Sequence, residues 1–418
     1  MWRIASSLCV SHQERYLDVA LGRLFPKPNS SPAWLARVCA LAVSGQPQAA
    51  ALLAQDVAKV CCGDARILLC CAELLQEQGR EEVHEQLRLT EKALGLGLPL
   101  GLKKAAHLQL ALALERKSRQ SGSDLGPAIR EVEAALEADP SDCMALYQLA
   151  RLKALACAPA EDIVALGQRA LQAGGLSLGP AWAVIAVARA SQQQHEKAIA
   201  AIDAGLAECG PGAASLLLSL KVQVLLAGDE PAKALEALQQ LMAHVQRGTA
   251  NPEAADSDMS ARLSAAEADM WAQGVHVFLA LGQRTDAQFC VDRALSLRPL
   301  GADSHYVAGL VHEERGDLQA AIAAFEQAIS LDSDHADAQM HLGAMHHRRG
   351  AAGDHVVARS LLVSGLKHRP NSSFGWYYLG LVNRAEDRLE EAEEHLKTAV
   401  SLQSVVPGLP YMLPHTLF

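Results

Sequence analysis

Small and large apolar positions along residues 268–404 recur in blocks separated by polar runs, and the blocks keep one internal spacing. Gly309, Gly343 and Gly380 head three of them, at steps of 34 and then 37, with Gly350 to Gly353 marking a short insertion in the longer gap. Ala321, Phe325 and Ala328 follow Gly309 at steps of 12, 16 and 19, and the same steps from Gly380 reach Ala392, Leu396 and Ala399. Gly343 is followed by Ala358, Leu362 and Gly365, the same set delayed by three. One block earlier Val275 takes the glycine place, ahead of Ala287, Val291 and Ala294. Pro299, Ser333, Pro370 and Ser404 close the blocks, and Trp271 and Trp376 stand four places before Val275 and Gly380.

Two helices joined by a turn and repeated at about this period form the tetratricopeptide pattern. The spacing predicts an all-α tetratricopeptide-repeat solenoid, a right-handed superhelix of antiparallel helix pairs. Gly and Ala stand where two helix backbones must cross closely, and Trp, Phe and Leu fill the gap between repeats. Pro or Ser ends one helix and begins the turn. No repeat buries its apolar faces alone, so stability is shared with its neighbours. The residues expected to carry the packing are Trp271, Ala287, Gly309, Ala321, Phe325, Gly343, Ala358, Leu362, Trp376, Gly380, Ala392 and Leu396.

Four regular repeats are thereby placed at 263–404. Residues 1–246 read as less regular repeats of the same kind, with a helix pair over 1–25 and a break at Pro26–Pro32. Trp34 and Ala50 are separated by the same step of 16 as Trp271 and Ala287 or Trp376 and Ala392. Further helices are expected over 64–78, 81–94 and 102–118, and regular repeats begin again at Trp182. Residues 247–262, rich in Asp, Ser, Asn and Gly without an aromatic residue, read as a mobile polar insertion. Ser257 and Ser260 there are candidates for phosphorylation, with ordinary exposed serines as the plainer reading. The tail 405–418 holds Pro407, Pro410 and Pro414, which forbid a helix. Its Leu409, Tyr411, Leu413 and Phe418 point to a cap over the last open face of the array.

Composition narrows the function. The 418 residues are half hydrophobic but only 4% aromatic, with a net charge of −10. That balance lacks the basic face of a nucleic-acid binder. The most apolar run, Ala213 to Ala227, is too short to span a bilayer and contains Lys221 and Gln223. Met1–Val10 does not read as a secretory signal. Of ten cysteines, Cys61–Cys62 and Cys70–Cys71 are adjacent pairs that match no zinc framework, so buried thiols in a reducing compartment are expected. His335, His341, His346, His347 and His355 cluster without the spacing of a zinc helix, and His346 falls at the packing place of Phe278 and His312. No nucleophile–base constellation or phosphate loop is present, so catalysis, metal and cofactor are not expected. Lys103, Lys104, Arg116, Lys117 and Arg119 decorate an apolar helix, a pattern that calmodulin or an anionic surface recognises and that an ordinary solenoid helix shares. Carboxylate-clamp tetratricopeptide proteins carry Lys one place after the Trp position and Asn four further on. Here those places hold Ala272 and His276, Tyr306 and Leu310, Met340 and Ala344, and Tyr377 and Leu381.

The close of the chain, Ala399-Val-Ser-Leu-Gln-Ser-Val-Val-Pro-Gly-Leu-Pro-Tyr with Pro407, Pro410, Tyr411 and then Pro414, resembles that of the tetratricopeptide repeat protein 7 family. Gly375-Trp-Tyr-Tyr-Leu-Gly-Leu381 is similar to the final repeat of its plant relatives, the No Pollen Germination proteins, and the insertion before the last four repeats also fits. The likeness is specific over 265–414, and members about twice this length make the chain resemble a C-terminal half. The resemblance implies a non-catalytic scaffold that holds phosphatidylinositol 4-kinase type III alpha at the plasma membrane. Its implied partners are a hyccin-type subunit and a palmitoylated Efr3-type anchor, with calmodulin for the plant relatives. The chain would then be cytoplasmic and meet the membrane only through partners. The alternative is a tetratricopeptide adaptor in another complex, in organelle assembly or transport.

Overall fold

A computed structural model describes residues 34, 37–38, 47–60, 63–76, 83–121, 124–156, 158–174, 178–249, 257–351 and 353–403. Among them are 19 helices and no strand. The contacts divide the chain into two compact units, Met1–Ala156 and Cys157–Phe418. The expectations for residues 1–33 and for the tail 405–418, including Pro407, Pro410, Tyr411 and Pro414, lie outside the described residues.

The first unit contains α1 (Pro47–Val60), α2 (Ala65–Gln76), α3 (Val83–Leu94), α4 (Leu100–Ser121), α5 (Gly126–Ala138) and α6 (Cys143–Leu155). Each helix packs on the next, and α2 also meets α4 across the intervening helix. Val38, Ala54, Leu68, Ala72 and Leu75 form its apolar centre, with Trp34 at the edge. A buried ion pair joins α4 to α6. The Arg151 guanidinium donates to both carboxylate oxygens of Glu115, at 2.8 Å to Oε1, and to Gln148 at 2.9 Å. Both ionic side chains are almost wholly shielded, so the forked geometry offsets much of the cost of taking two charges out of water.

The second unit contains α7 (Ala160–Gly174), α8 (Gly179–Ser191), α9 (His195–Glu208), α10 (Pro211–Ala227), α11 (Pro231–Thr249), α12 (Ser257–Ala280), α13 (Arg284–Leu297), α14 (Ala302–Arg315), α15 (Leu318–Leu331), α16 (Ala336–Arg349), α17 (Asp354–His368), α18 (Ser373–Ala385) and α19 (Leu389–Gln403). From α8 onward even-numbered helices open a repeat (A helices) and odd-numbered helices close it (B helices). The closest pairings are within repeats, and α8–α10, α10–α12, α12–α14 and α16–α18 also touch, so A helices lie side by side. The polar insertion is narrower than 247–262, because α11 runs to Thr249 and α12 begins at Ser257. The Met, Ala and Leu content of 259–266 favours helix over loop.

The small residues sit at the crossings. A Cβ on Gly309 would overlap the Phe325 ring, one on Gly343 would stand 2.8 Å from Leu362 Cγ, and one on Gly380 would stand 2.7 Å from Leu396 Cγ. Ala287, Ala321, Phe325, Ala358 and Leu362 have no exposed surface, and Ala392 is buried. Trp271 is half-buried against Phe289, edge to face at 5.7 Å.

A second repeated contact fixes the turn between repeats. Trp376 Nε1 donates to the Pro370 carbonyl at 2.6 Å, Gln339 Nε2 to the Ser333 carbonyl at 2.6 Å, and His305 Nε2 to the Pro299 carbonyl at 2.9 Å. The three donors occupy one place in successive repeats, as do the three acceptors. Gly316 and Gly350 end α14 and α16 with φ of 80° and 64°, a left-handed conformation that favours glycine.

Gly309→Ala gains helix propensity of about 1 kcal/mol but must overpack a ring that cannot retreat, at about 1–3 kcal/mol. The expected outcome is a lower urea-unfolding midpoint for Gly309→Ala, part of which Phe325→Leu restores in the double variant.

Candidate functional site: a groove across four A helices

The A helices α10, α12, α14 and α16 and the entry to α18 line a groove of about 630 Å³. Periodicity builds it. Asp269, Ala272, Gln273 and His276 form one face of α12, and the same places one period on give Asp303, Tyr306 and Val307 of α14. A second period gives Asp337, Met340 and His341 of α16. Val222, Gln223 and Leu226 of α10 close one end, and Ser373 and Phe374 of α18 the other. The carboxylate-clamp places therefore contribute Ala272, His276, Tyr306 and Met340, which are apolar, aromatic or imidazole groups.

The floor centres on Tyr306. Its ring lies 5.0 Å from His335, 5.6 Å from His341, 6.0 Å from Phe325 and 6.5 Å from His276. His341 stacks on Phe374 at 4.3 Å and bonds through Nδ1 to Glu313 Oε2 at 2.9 Å. Desolvation deep in the groove pushes the His276 imidazole down to about 4, so it is neutral at physiological pH. The same desolvation raises the Tyr306 hydroxyl well above its ordinary range. His276 and Tyr306 thus stand in the floor as neutral groups.

The rim is charged but paired. Asp269, Asp303 and Asp337 recur once per period, and each meets a basic side chain from the turn after the following B helix. Arg298 donates to Asp269 at 3.0 Å, His335 bonds to Asp303 at 3.2 Å, and Arg369 bonds to Asp337. At His335, desolvation works against the charged ring, but the Asp303 bond and charge outweigh it and the pKa rises. The His335 hydrogen bond in turn holds the Asp303 carboxyl below its usual range. His335 also caps α16, where Nδ1 accepts from the Ala338 N–H at 3.1 Å. Gln223 Oε1 and Gln273 Oε1 are buried and have no hydrogen-bond partner among the described residues.

The expected packing residues lie beside this groove, at helix crossings, rather than in it; Phe325 alone among them touches the Tyr306 cluster. His346 is buried, bonds to Asp354 and takes no part in the groove. Cys71 and Cys290 are buried, and burial pushes their thiols up to about 12. Among the described residues no group of three or more His, Cys, Asp and Glu is placed to hold a metal ion, and no helix is long and apolar enough to cross a membrane. The basic helix of 102–118 is α4, which packs on both α3 and α5 and ties Lys104 to Asp139 and Asp142.

Comparison with known proteins defines the class. Residues 274–335 and 314–354 match the tetratricopeptide repeat family. The fold is similar to that of yeast Tom70, with a TM-score of 0.51 at 14% identity, over 96% of this chain and 84% of that one. The molecule has the all-helical tetratricopeptide fold, in antiparallel pairs. Among characterised proteins, the chain is 27% identical over 338 residues to Protein NPGR2 of Arabidopsis thaliana, covering 78% of this chain and 46% of that protein. It is 24% identical over 151 residues to Tetratricopeptide repeat protein 7B of Homo sapiens, covering 36% and 18%. These are distant relatives, and the chain spans half their length or less.

Replacing Asp303 by Asn removes the charge that favours protonation of His335. In an NMR titration His335 of Asp303→Asn is expected to titrate at lower pH than in the parent; an unchanged value would show that the rim pair does not set it.

Proposed function

We infer that the chain is a non-catalytic scaffold that binds protein partners in the groove across α10, α12, α14 and α16. The observation that carries this reading is the floor itself. Apolar and aromatic side chains from four repeats converge on one continuous surface, with a rim whose aspartates are already paired. Such a surface selects by shape and apolar contact.

The finer reading places the scaffold in a phosphatidylinositol 4-kinase type III alpha complex, with a hyccin-type subunit and an Efr3-type anchor bringing it to the plasma membrane. It is supported by the resemblance of residues 265–414 to the tetratricopeptide repeat protein 7 family and by the similarity to protein 7B. Calmodulin is a second partner on this reading. It would have to meet α4 on its outer surface or draw it out from between α3 and α5.

Affinity capture of the tagged chain from its own cells, with partners identified by mass spectrometry, is expected to recover a lipid kinase and a hyccin-like protein. Reproducible recovery of other proteins in their place would leave the scaffold standing and remove the kinase. Ala272→Arg thrusts a long charged side chain into the floor. It is expected to abolish the capture of whichever partner occupies the groove while leaving the helical circular dichroism unchanged.

A further inference from the structure

The last helix keeps an apolar face that no described residue covers. Leu389 and Val400 of α19 are 64% and 69% exposed. With Ala392, Leu396 and the stems of Arg384 and Lys397 they line an open groove of about 590 Å³. One repeat earlier the same face is closed. Leu366 of α17, the counterpart of Val400, is only 6% exposed, because α18 lies across it. A Cβ on Gly375 would stand 2.9 Å from Leu366 Cδ2. Leu362 is fully buried, whereas its counterpart Leu396 is half-buried.

The register points to the occupant. A short turn carries the chain from the end of α17 at His368 to Ser373, where α18 starts. The chain leaves α19 at Gln403, at the corresponding corner, and continues through Ser404–Phe418. One period carries Gly375 to Leu409 and the buried Leu379 to Leu413, so apolar side chains fall at the places that face the preceding B helix. The same step carries the donor Trp376 to Pro410 and the crossing residue Gly380 to Pro414. Pro410 removes the side-chain donor that fixes the turn, and both prolines interrupt the helical hydrogen-bond ladder. The sequence therefore keeps apolar residues at these two places while its prolines disfavour a further A helix. Fully extended, the segment reaches at most about 50 Å, against roughly 22 Å for a helix of the length of α19, so it can cross the whole face.

We propose that residues 404–418 seat on the apolar face of α18 and α19 as a non-helical cap, with Leu409 over Val400. The cap takes the place of a further A helix and shuts this face to partners and to a second copy of the chain. The groove across α10–α16 is then left as the partner surface.

The test places a photoreactive benzoylphenylalanine at Leu389 in the full chain, followed by irradiation and tryptic mapping. Cleavage at Arg388 and Lys397 puts the probe on a different peptide from the segment. The expected result is an intramolecular link to residues 404–418 that is lost in Leu409→Asp/Leu413→Asp with the helical circular dichroism unchanged. A link between two chains would make a second copy the occupant and overturn the proposal. Links confined to α18 and α19 would show an open face and overturn it equally. Neither outcome bears on partner capture by the groove, so the two readings fail separately.

Discussion

The distance at which the two helices of a repeat cross is the constraint that organises the second unit. With glycine at 309, 343 and 380, the A helix rests directly on the side chain of Phe325, Leu362 or Leu396, with no Cβ between. A crossing that close fixes the angle between the two helices, because ridges and grooves mesh in few ways. Once that angle repeats, equivalent A-helix positions stack beside one another. Ala272, Tyr306 and Met340 then become neighbours across three helices although a full repeat of sequence separates each from the next. The groove is thus a consequence of packing behind it, and a change at a crossing glycine is felt on the partner face.

The packing half of this arrangement is legible in the sequence because steric need restricts residue size. Only Gly, Ala or Val fits the places where backbones approach, so the period shows in the letters themselves. The turn contact is only half visible, since Trp271 and Trp376 mark a place that His305 and Gln339 also occupy. What repeats there is a side-chain N–H aimed at a carbonyl six places back, and tryptophan, glutamine and histidine share that chemistry without sharing shape. The Tyr306 cluster is barely legible. Only His335 and His341 stand near each other in sequence, grouped there with three other histidines, and the remaining members come from α12, α14, α15 and α18. Aromatic or imidazole groups at A-helix positions one period apart are the signal that leads to Tyr306. The carboxylate-clamp places include Ala272, His276 and Met340, but nothing in their letters shows that they form one surface. The polar insertion is shorter than its composition suggests, because the polar residues mask helix-forming ones from 257 onward.

The rim shows how a repeat tolerates a break in its own pattern. Arg298 and Arg369 hold equivalent places and each neutralises an aspartate of the A helix before it. Between them that place is Asp332, a carboxylate where the pattern asks for a cation. Asp303 is met instead by His335, three places later, whose unprotonated Nδ1 also caps α16. An arginine is charged at every accessible pH, whereas an imidazole gains or loses its second proton near neutral pH. The middle rung is therefore the one whose strength follows pH.

Paired rims and a floor in which His276 and Tyr306 are neutral also set the kind of recognition open to this surface. A carboxylate-clamp groove spends fixed cations on the end of a peptide, so its partners are defined by a terminus. Here Arg298 and Arg369 are consumed by Asp269 and Asp337 within the fold, His335 bonds to Asp303, and His276 is held neutral by desolvation. A partner with a bare carboxylate would have to displace an existing ion pair and gain only what the exchange leaves over. A partner offering apolar side chains displaces water alone. The energetics favour an internal, apolar segment of a protein over a charged terminus, and that preference follows from the electrostatics of the rim whichever protein supplies the segment.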